Sequence, residues 1–272
     1  VMMDKNPRLQ RLRDFTVHIR DPENKITVGT GIAISDDQIL TCAHVVDAVW
    51  TLKKDKTDRV GVYFPKFGAR AAECHQAEVY CCHPNHDDDI VSLRLIDGIA
   101  PLGPDQFAKL GSAEKSEDNP FRSYGYSPTG GYPATRANGL IMGSVEPQEQ
   151  KELLADPIQL SSTEIDRGMS GSAVLDTERN LVVGLVSERY FPKGWVKGNI
   201  AYAVDTLVLG LDPFSLNLQD EDQPKAPAPC PKVDMQAAWA GMAPKQPVLW
   251  NNAPPTLREW VGRNDLLSEL TS

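Results

Sequence analysis

No apolar run in this chain of 272 residues approaches the roughly 20 residues that a membrane-spanning helix needs. The positive charge of a nucleic-acid binder is missing too. With 28 basic and 37 acidic side chains the net charge is −9, which argues against a broad electrostatic hold on nucleic acid or on an anionic membrane. Cysteine is scarce and odd in number, five in all. Cys81 and Cys82 are adjacent, a poor basis for a disulfide framework. Val1 to Arg20 are studded with charge and contain no apolar h-region, so a secretory signal is not expected. The phosphate loop Gly-x4-Gly-Lys-Ser/Thr is absent, which excludes assigning NTP hydrolysis to these residues. The composition therefore predicts a soluble, cytoplasmic protein. No cofactor and no metal is expected.

The length suits one large domain or two small ones. Eight of the 21 prolines fall between Pro224 and Pro255, a density that stops helix or sheet from propagating. The predicted organisation is a body over 1–215, in two halves of about 1–110 and 111–215, then a connector over 216–255 and a short piece over 256–272. Runs of β-branched and aromatic residues punctuated by Gly, Pro, Asn and Asp predict strands in the body. They are Phe15–Ile19, Thr27–Ile34, Gln38–Cys42, Arg59–Phe64, Ala77–Cys82 and Ile90–Ile96. After a turn-rich interval come Phe121–Tyr126, Gly139–Val145, Ile158–Ser162, Ser172–Leu175, Leu181–Ser187 and Ile200–Val204. In the body, helix is predicted only over Pro7–Arg13, in a turn after His44 and over Thr206–Leu211. The expected class is all-β, two six-stranded antiparallel barrels that close to remove exposed edges, with an extended proline-rich segment and a short helix at the C-terminus.

Histidine is the usual general base near neutral pH. The five here, His18, His44, His75, His83 and His86, all lie in the first third of the chain. This excludes any triad in which the base follows a nucleophilic serine. Gly168-Met169-Ser170-Gly171-Ser172 offers such a serine among small neighbours, where the backbone can turn sharply and bring N–H groups close to a developing oxyanion. Ile39-Leu40-Thr41-Cys42-Ala43-His44-Val45-Val46 sets a histidine at the end of a buried strand. Asp89-Ile90-Val91-Ser92-Leu93-Arg94-Leu95 sets a carboxylate at the start of another. Asp87 and Asp88, in the same acidic run, are expected to be solvated.

In the order His, Asp, Ser, these segments resemble the three signature regions of the chymotrypsin-fold serine peptidases, nearest to the bacterial trypsin-like branch with the HtrA and glutamyl endopeptidase types. Val28-Gly29-Thr30-Gly31-Ile32, Tyr124-Gly125-Tyr126 and Val183-Gly184-Leu185-Val186-Ser187 extend the resemblance over nearly all of 15–210. It implies two barrels meeting at a cleft and a serine endopeptidase that acts on protein or peptide substrates. Ser170 would be the nucleophile, His44 its base and Asp89 the group that orients His44. The N–H groups of Gly168 and Ser170 would form the oxyanion hole. Ser187 would support Asp89, and its strand would pair with the substrate. For the side chain before the cleaved bond two readings stay open: Glu164 would attract Lys or Arg, whereas Arg189 would favour an acidic group.

Three of the five Trp, Trp239, Trp250 and Trp260, lie in or just beyond the connector, which suits docking on the body or on a partner. Leu257 to Leu270, with Val261-Gly262-Arg263 and an amphipathic stretch, resembles the leading segment of STAND-type NTPases. That implies an effector domain joined to, or associated with, an NTPase sensor, as in bacterial antiphage systems, and control by that sensor or by self-assembly into a homo-oligomer. The alternative for this piece is a helix packed on the barrel. Two other readings compete for the body. One is a catalytically silent peptidase fold that holds a partner peptide. The other is a zinc-supported module using Cys74-His75 and Cys81-Cys82-His83…His86, although their spacing fits no closed Cys/His finger. Cys42 is expected in the core.

Overall fold

In the computed structural model, residues 7–219 are described except 22, 24–25, 53–58, 67–73, 83–86, 97, 128–133, 147–151, 191–197 and 212–213, with the backbone alone at 7–10 and 189. Of the connector only 216–219 are described; the rest of it and the C-terminal piece lie outside the described residues, as do His83 and His86.

Among the described residues twelve strands form two barrels. The first holds β1 (Thr16–Arg20), β2 (Thr27–Ala33), β3 (Gln38–Thr41), β4 (Arg59–Tyr63), β5 (His75–Cys82) and β6 (Val91–Leu95). The second holds β7 (Pro120–Gly125), β8 (Thr135–Ser144), β9 (Ile158–Ser161), β10 (Ala173–Asp176), β11 (Leu181–Val186) and β12 (Ile200–Asp205). Each barrel is closed, in the order β1-β2-β3-β6-β5-β4 and β7-β8-β9-β12-β11-β10, so the same antiparallel circuit occurs twice. Closure satisfies the backbone groups that an open edge would expose.

Patterning explains which strands face where. β5 alternates between inward Ala77 and outward Glu78, Tyr80 and Cys82, the period of a sheet with one solvated face. β11 is apolar throughout and buried at all six positions. Leu181, Val183 and Val186 fill the second barrel, while Val182 and Leu185 join the core of the first. Burying a side chain such as Leu40 or Ile39, neither of which is exposed, contributes about 1.5–3 kcal/mol.

The strand expected over Gly139–Val145 begins four residues earlier, at Thr135. Its first half buries a single apolar side chain, Ala137, so hydrophobicity could not mark it; pairing with β7 along Thr135–Leu140 does. The helix α1 (Pro7–Phe15) takes in Phe15 and displaces the start of β1 by one residue. The turn predicted after His44 is a ten-residue helix, α2 (Ala43–Leu52), which buries Val45, Val46 and Val49. Those three positions follow the spacing of one helical face.

Candidate active site

β3 ends at Thr41, and Cys42 leads directly into α2, so His44 stands in the first turn of that helix. Asp89 precedes β6, the hydrogen-bonded neighbour of β3. That pairing brings together residues 45 positions apart. His44 Nδ1 lies 2.6 Å from Asp89 Oδ2, and the His44 backbone N–H donates to Asp89 Oδ1 at 3.0 Å. From the second barrel, Ser187 Oγ donates to Asp89 Oδ2 at 2.5 Å. Burial pulls the Asp89 carboxyl towards its neutral form, but the bonds from His44 and Ser187 outweigh that and hold it below its ordinary value. Asp89 is fully buried, whereas the His44 side chain is 30% exposed. The pair thus presents imidazole to solvent and hides the charge that orients it.

Ser170 lies in the loop before β10, and the first barrel fixes that loop. Thr30 on β2 donates its N–H to the Ser170 carbonyl at 2.9 Å. Thr30 Oγ1 donates to the Gly168 carbonyl at 3.2 Å and accepts from the Tyr126 N–H at 2.8 Å. The Thr30 carbonyl accepts from Thr41 Oγ1 at 2.6 Å. Gly168 and Gly171 adopt φ of +86° and +85°, a region that glycine enters without the penalty other residues carry. At Gly171 a Cβ would also collide with the Thr30 carbonyl oxygen. Ser170 itself is buried at 3% exposure. Among the described residues no hydrogen bond links Ser170 Oγ to His44; Oγ instead accepts from the Glu188 N–H at 3.4 Å.

Glu188 also holds Gly168. Its Oε1 accepts from the Gly168 N–H at 3.1 Å. Residues Glu188–Tyr190 form a short 3-10 turn directly after Ser187, and Tyr190 Oη accepts from the Asp89 N–H at 3.1 Å. Burial pushes the Tyr190 phenol up, so it stays protonated. Sequence reasoning missed the roles of Thr30, Glu188 and Tyr190. Thr30 stood inside a recognised motif, but the other two act through contacts that no local pattern announces.

Glu164 sits away from this cluster in its bonding, its Oε2 accepting from the Asn138 backbone N–H at 2.9 Å and from Asn138 Nδ2 at 2.6 Å. The side chain of Arg189 lies outside the described residues. Asp87 and Asp88 are not the solvated acids expected of them. Asp88 is only 4% exposed, and its Oδ2 accepts from the Leu154 N–H. Asp87 exchanges two bonds with Glu152. They tie the Asp89 loop to the second barrel, through partners more than 60 residues away.

Cys42 is the core residue expected, with its thiol donating to the Val186 carbonyl at 3.3 Å. Its sulfur, an His44 nitrogen and an Asp89 oxygen lie within 4.8 Å of one another. Burial pushes the Cys42 thiol well up, and Asp89 adds to this. The thiol therefore remains protonated, a poor metal ligand. Cys81 and Cys82 sit on opposite faces of β5, the former partly buried and the latter exposed.

A buried carboxylate, an imidazole oriented by it and a serine on a glycine turn are the parts of an acyl-transfer site. The sequence profile of the trypsin-like peptidase domain matches residues 29–185, the span from β2 to β11 that contains all three. The chain belongs to the trypsin-like peptidase family. It is a serine endopeptidase with the chymotrypsin-like double barrel. None of the curated proteins compared matches it. Among solved structures, it is similar to the Rv3671c protease of M. tuberculosis in its active form, with a TM-score of 0.52 at 19% identity over 75% of this chain and 82% of that one. The inactive form of the same protease gives 0.52 at 21%, covering 75% and 90%. The HtrA-type protease AlgW, solved with a decapeptide, gives 0.55 at 17%, covering 74% and 63%. At such identities the likeness is one of fold.

Proposed function

We propose that this peptidase cleaves proteins through Ser170, His44 and Asp89, by way of an acyl-enzyme. The observation that carries this reading is the buried Asp89 carboxylate braced between His44 and Ser187, an arrangement costly to keep in a fold that does not use it. Ser170 Oγ attacks the substrate carbonyl while His44 Nε2 takes its proton. Asp89 keeps the His44 proton on Nδ1 and stabilises the imidazolium; these are the roles that such a triad takes in chymotrypsin-type enzymes. The N–H groups of Gly168 and Ser170 receive the oxyanion, each such donor contributing about 2.7–4 kcal/mol to the transition state. His44 then protonates the leaving amine, and water repeats the cycle on the acyl-enzyme.

Reaction with a fluorophosphonate probe, read by intact mass, tests the assignment. One adduct per chain is expected, and Ser170→Ala should abolish it. An unlabelled wild type under every activating condition would instead favour the silent, peptide-holding fold. The Asn138 bonds to Glu164 do not support that residue as a ready anchor for Lys or Arg, and cleavage of a peptide library decides the preference.

The wider proposal is that the peptidase is a cytoplasmic effector controlled by a fused or associated NTPase of a bacterial defence system. Its support is the segment around Val261-Gly262-Arg263 and its resemblance to the start of STAND-type NTPases. Equal activity of the isolated body, of this chain and of a chain extended by such an NTPase would remove the case for that control.

A further inference from the structure

Two groups the peptidase reading needs are engaged by one residue outside the triad. The Gly168 N–H donates to Glu188 Oε1 at 3.1 Å, and the Glu188 N–H donates to Ser170 Oγ at 3.4 Å. We propose that Glu188 is a built-in plug of the oxyanion hole, holding the resting peptidase silent until its side chain is displaced. The inference rests on the proposed triad, whose regulation it describes.

A substrate oxygen stabilised by the hole must come to about 2.7–3.1 Å from the Gly168 nitrogen. That nitrogen carries one hydrogen, and Glu188 Oε1 already accepts it. The occupant is also chemically apt. A carboxylate oxygen carries negative charge, as the tetrahedral oxyanion does, and hydrogen bonds to charged acceptors are stronger than neutral ones. The ligand the hole is built to stabilise is therefore mimicked by part of the chain.

The backbone around Glu188 adds a second obstacle. Ser187, just before it, is fully buried and bonded to Asp89. Two residues after it, Tyr190 Oη receives the Asp89 N–H. Between these anchors Glu188–Tyr190 is wound as a 3-10 turn. A substrate strand pairing as an added edge needs extended backbone there, and the turn withholds it. Glu188 has three rotatable side-chain bonds, so its carboxylate can leave the hole without disturbing Ser187. Release of the side chain and unwinding of the turn would together open both the hole and the edge.

The comparison to make is the second-order rate of fluorophosphonate labelling, whose phosphoryl oxygen enters the hole, in wild type, Glu188→Ala and Glu188→Gln, with Ser170→Ala as the blank. Glu188→Ala should label roughly ten- to a hundredfold faster than wild type, the range of one charge-assisted hydrogen bond. Glu188→Gln, which keeps the shape but loses the charge, should fall between. Carbethoxylation of His44, followed by mass spectrometry, does not use the hole and should stay within about twofold. Equal labelling of all three, with a silent Ser170→Ala, overturns the plug and leaves the peptidase reading standing. A rise in His44 modification equal to the rise in labelling also overturns it, in favour of general loosening. Absence of label in wild type and both variants overturns the triad reading and the plug with it. If Glu188→Ala does not fold by near-UV circular dichroism, the isosteric Glu188→Gln decides alone: faster labelling supports the plug, and an unchanged rate overturns it.

Discussion

A carboxylate with no exposed surface, as at Asp89, would cost several kcal/mol to bury alone. Here His44 donates to both of its oxygens, and Ser187 shares one of them. Removing the charge while keeping the shape should therefore damage catalysis far more than folding. Asp89→Asn is expected to lower kcat by about 10⁴, because the amide no longer selects the required His44 tautomer. Ser187→Ala removes one bond to a charged group and should lower it by about tenfold or somewhat more. Peptide hydrolysis rates, with far-UV circular dichroism to confirm folding, check both. If Ser187→Ala proved as damaging as Asp89→Asn, the hydroxyl would have a larger part than bracing.

At the scale of elements, the loop over 168–172 works because two glycines let it fold against the first barrel. Gly171 has φ of +85° and lies against the Thr30 carbonyl. Gly171→Ala adds the left-handed penalty of about 1–2 kcal/mol to a backbone collision. Urea unfolding should show a loss of at least about 2 kcal/mol, with labelling of Ser170 falling in parallel. Unchanged stability would mean that the Thr30 clamp is loose. The same elements show what local reading can and cannot see. Eleven strands are legible within two or three residues because runs of β-branched and aromatic residues between turn formers mark them, whereas the polar half of β8 is defined by its partner β7. The sequence foreshadows α2 only as a turn, since its Val45, Val46 and Val49 stripe is short. The solvated reading of Asp88 fails because its partner, Leu154, lies 66 residues away.

At the scale of the whole molecule, two buried groups titrate in one pH window with opposite effects. His18 on β1 contacts Tyr63 and Tyr126, and neither ring nitrogen has a hydrogen-bond partner among the described residues. Burial, with help from Arg20, lowers it from 6.5 to about 4. The unfolded chain thus takes up this proton first as pH falls, so His18 makes stability rise with pH between about 4 and 6.5. Asp205, at the end of β12, accepts from the Leu207 and Ala113 N–H groups. Burial raises it from 3.8 to about 6 against the pull of those two bonds, with Glu114 adding a little to the rise and Arg179 opposing it. Its unfolded form loses the proton first, so Asp205 makes stability fall between about 4 and 6. Each effect has a ceiling of about 3 kcal/mol. Relative to wild type, Asp205→Asn should steepen the rise of unfolding free energy with pH over this window, and His18→Phe should reverse or flatten it. Urea titrations at pH 4, 5 and 6.5 read the difference; parallel curves for all three proteins would refute the assignment.

The absence of membrane-length apolar runs has a physical explanation at this scale: the apolar residues are dealt out in short runs because the twelve short strands among the described residues need them. By itself the sequence determined that strand count, the all-β class and the order His44, Asp89, Ser170, since runs of strand-forming residues and local motifs are properties of neighbouring residues. Tertiary structure alone decided that Thr30 clamps the nucleophile loop, that Asp87 and Asp88 fasten one barrel to the other, and that Glu188 occupies the Gly168 N–H. Each of these contacts joins residues at least 20 positions apart. The first two exist only once two separately closed barrels pack together, because each half of the chain supplies one partner. The third follows from the same packing: Ser187 is drawn to Asp89 of the other barrel, and that anchor sets where Glu188 stands.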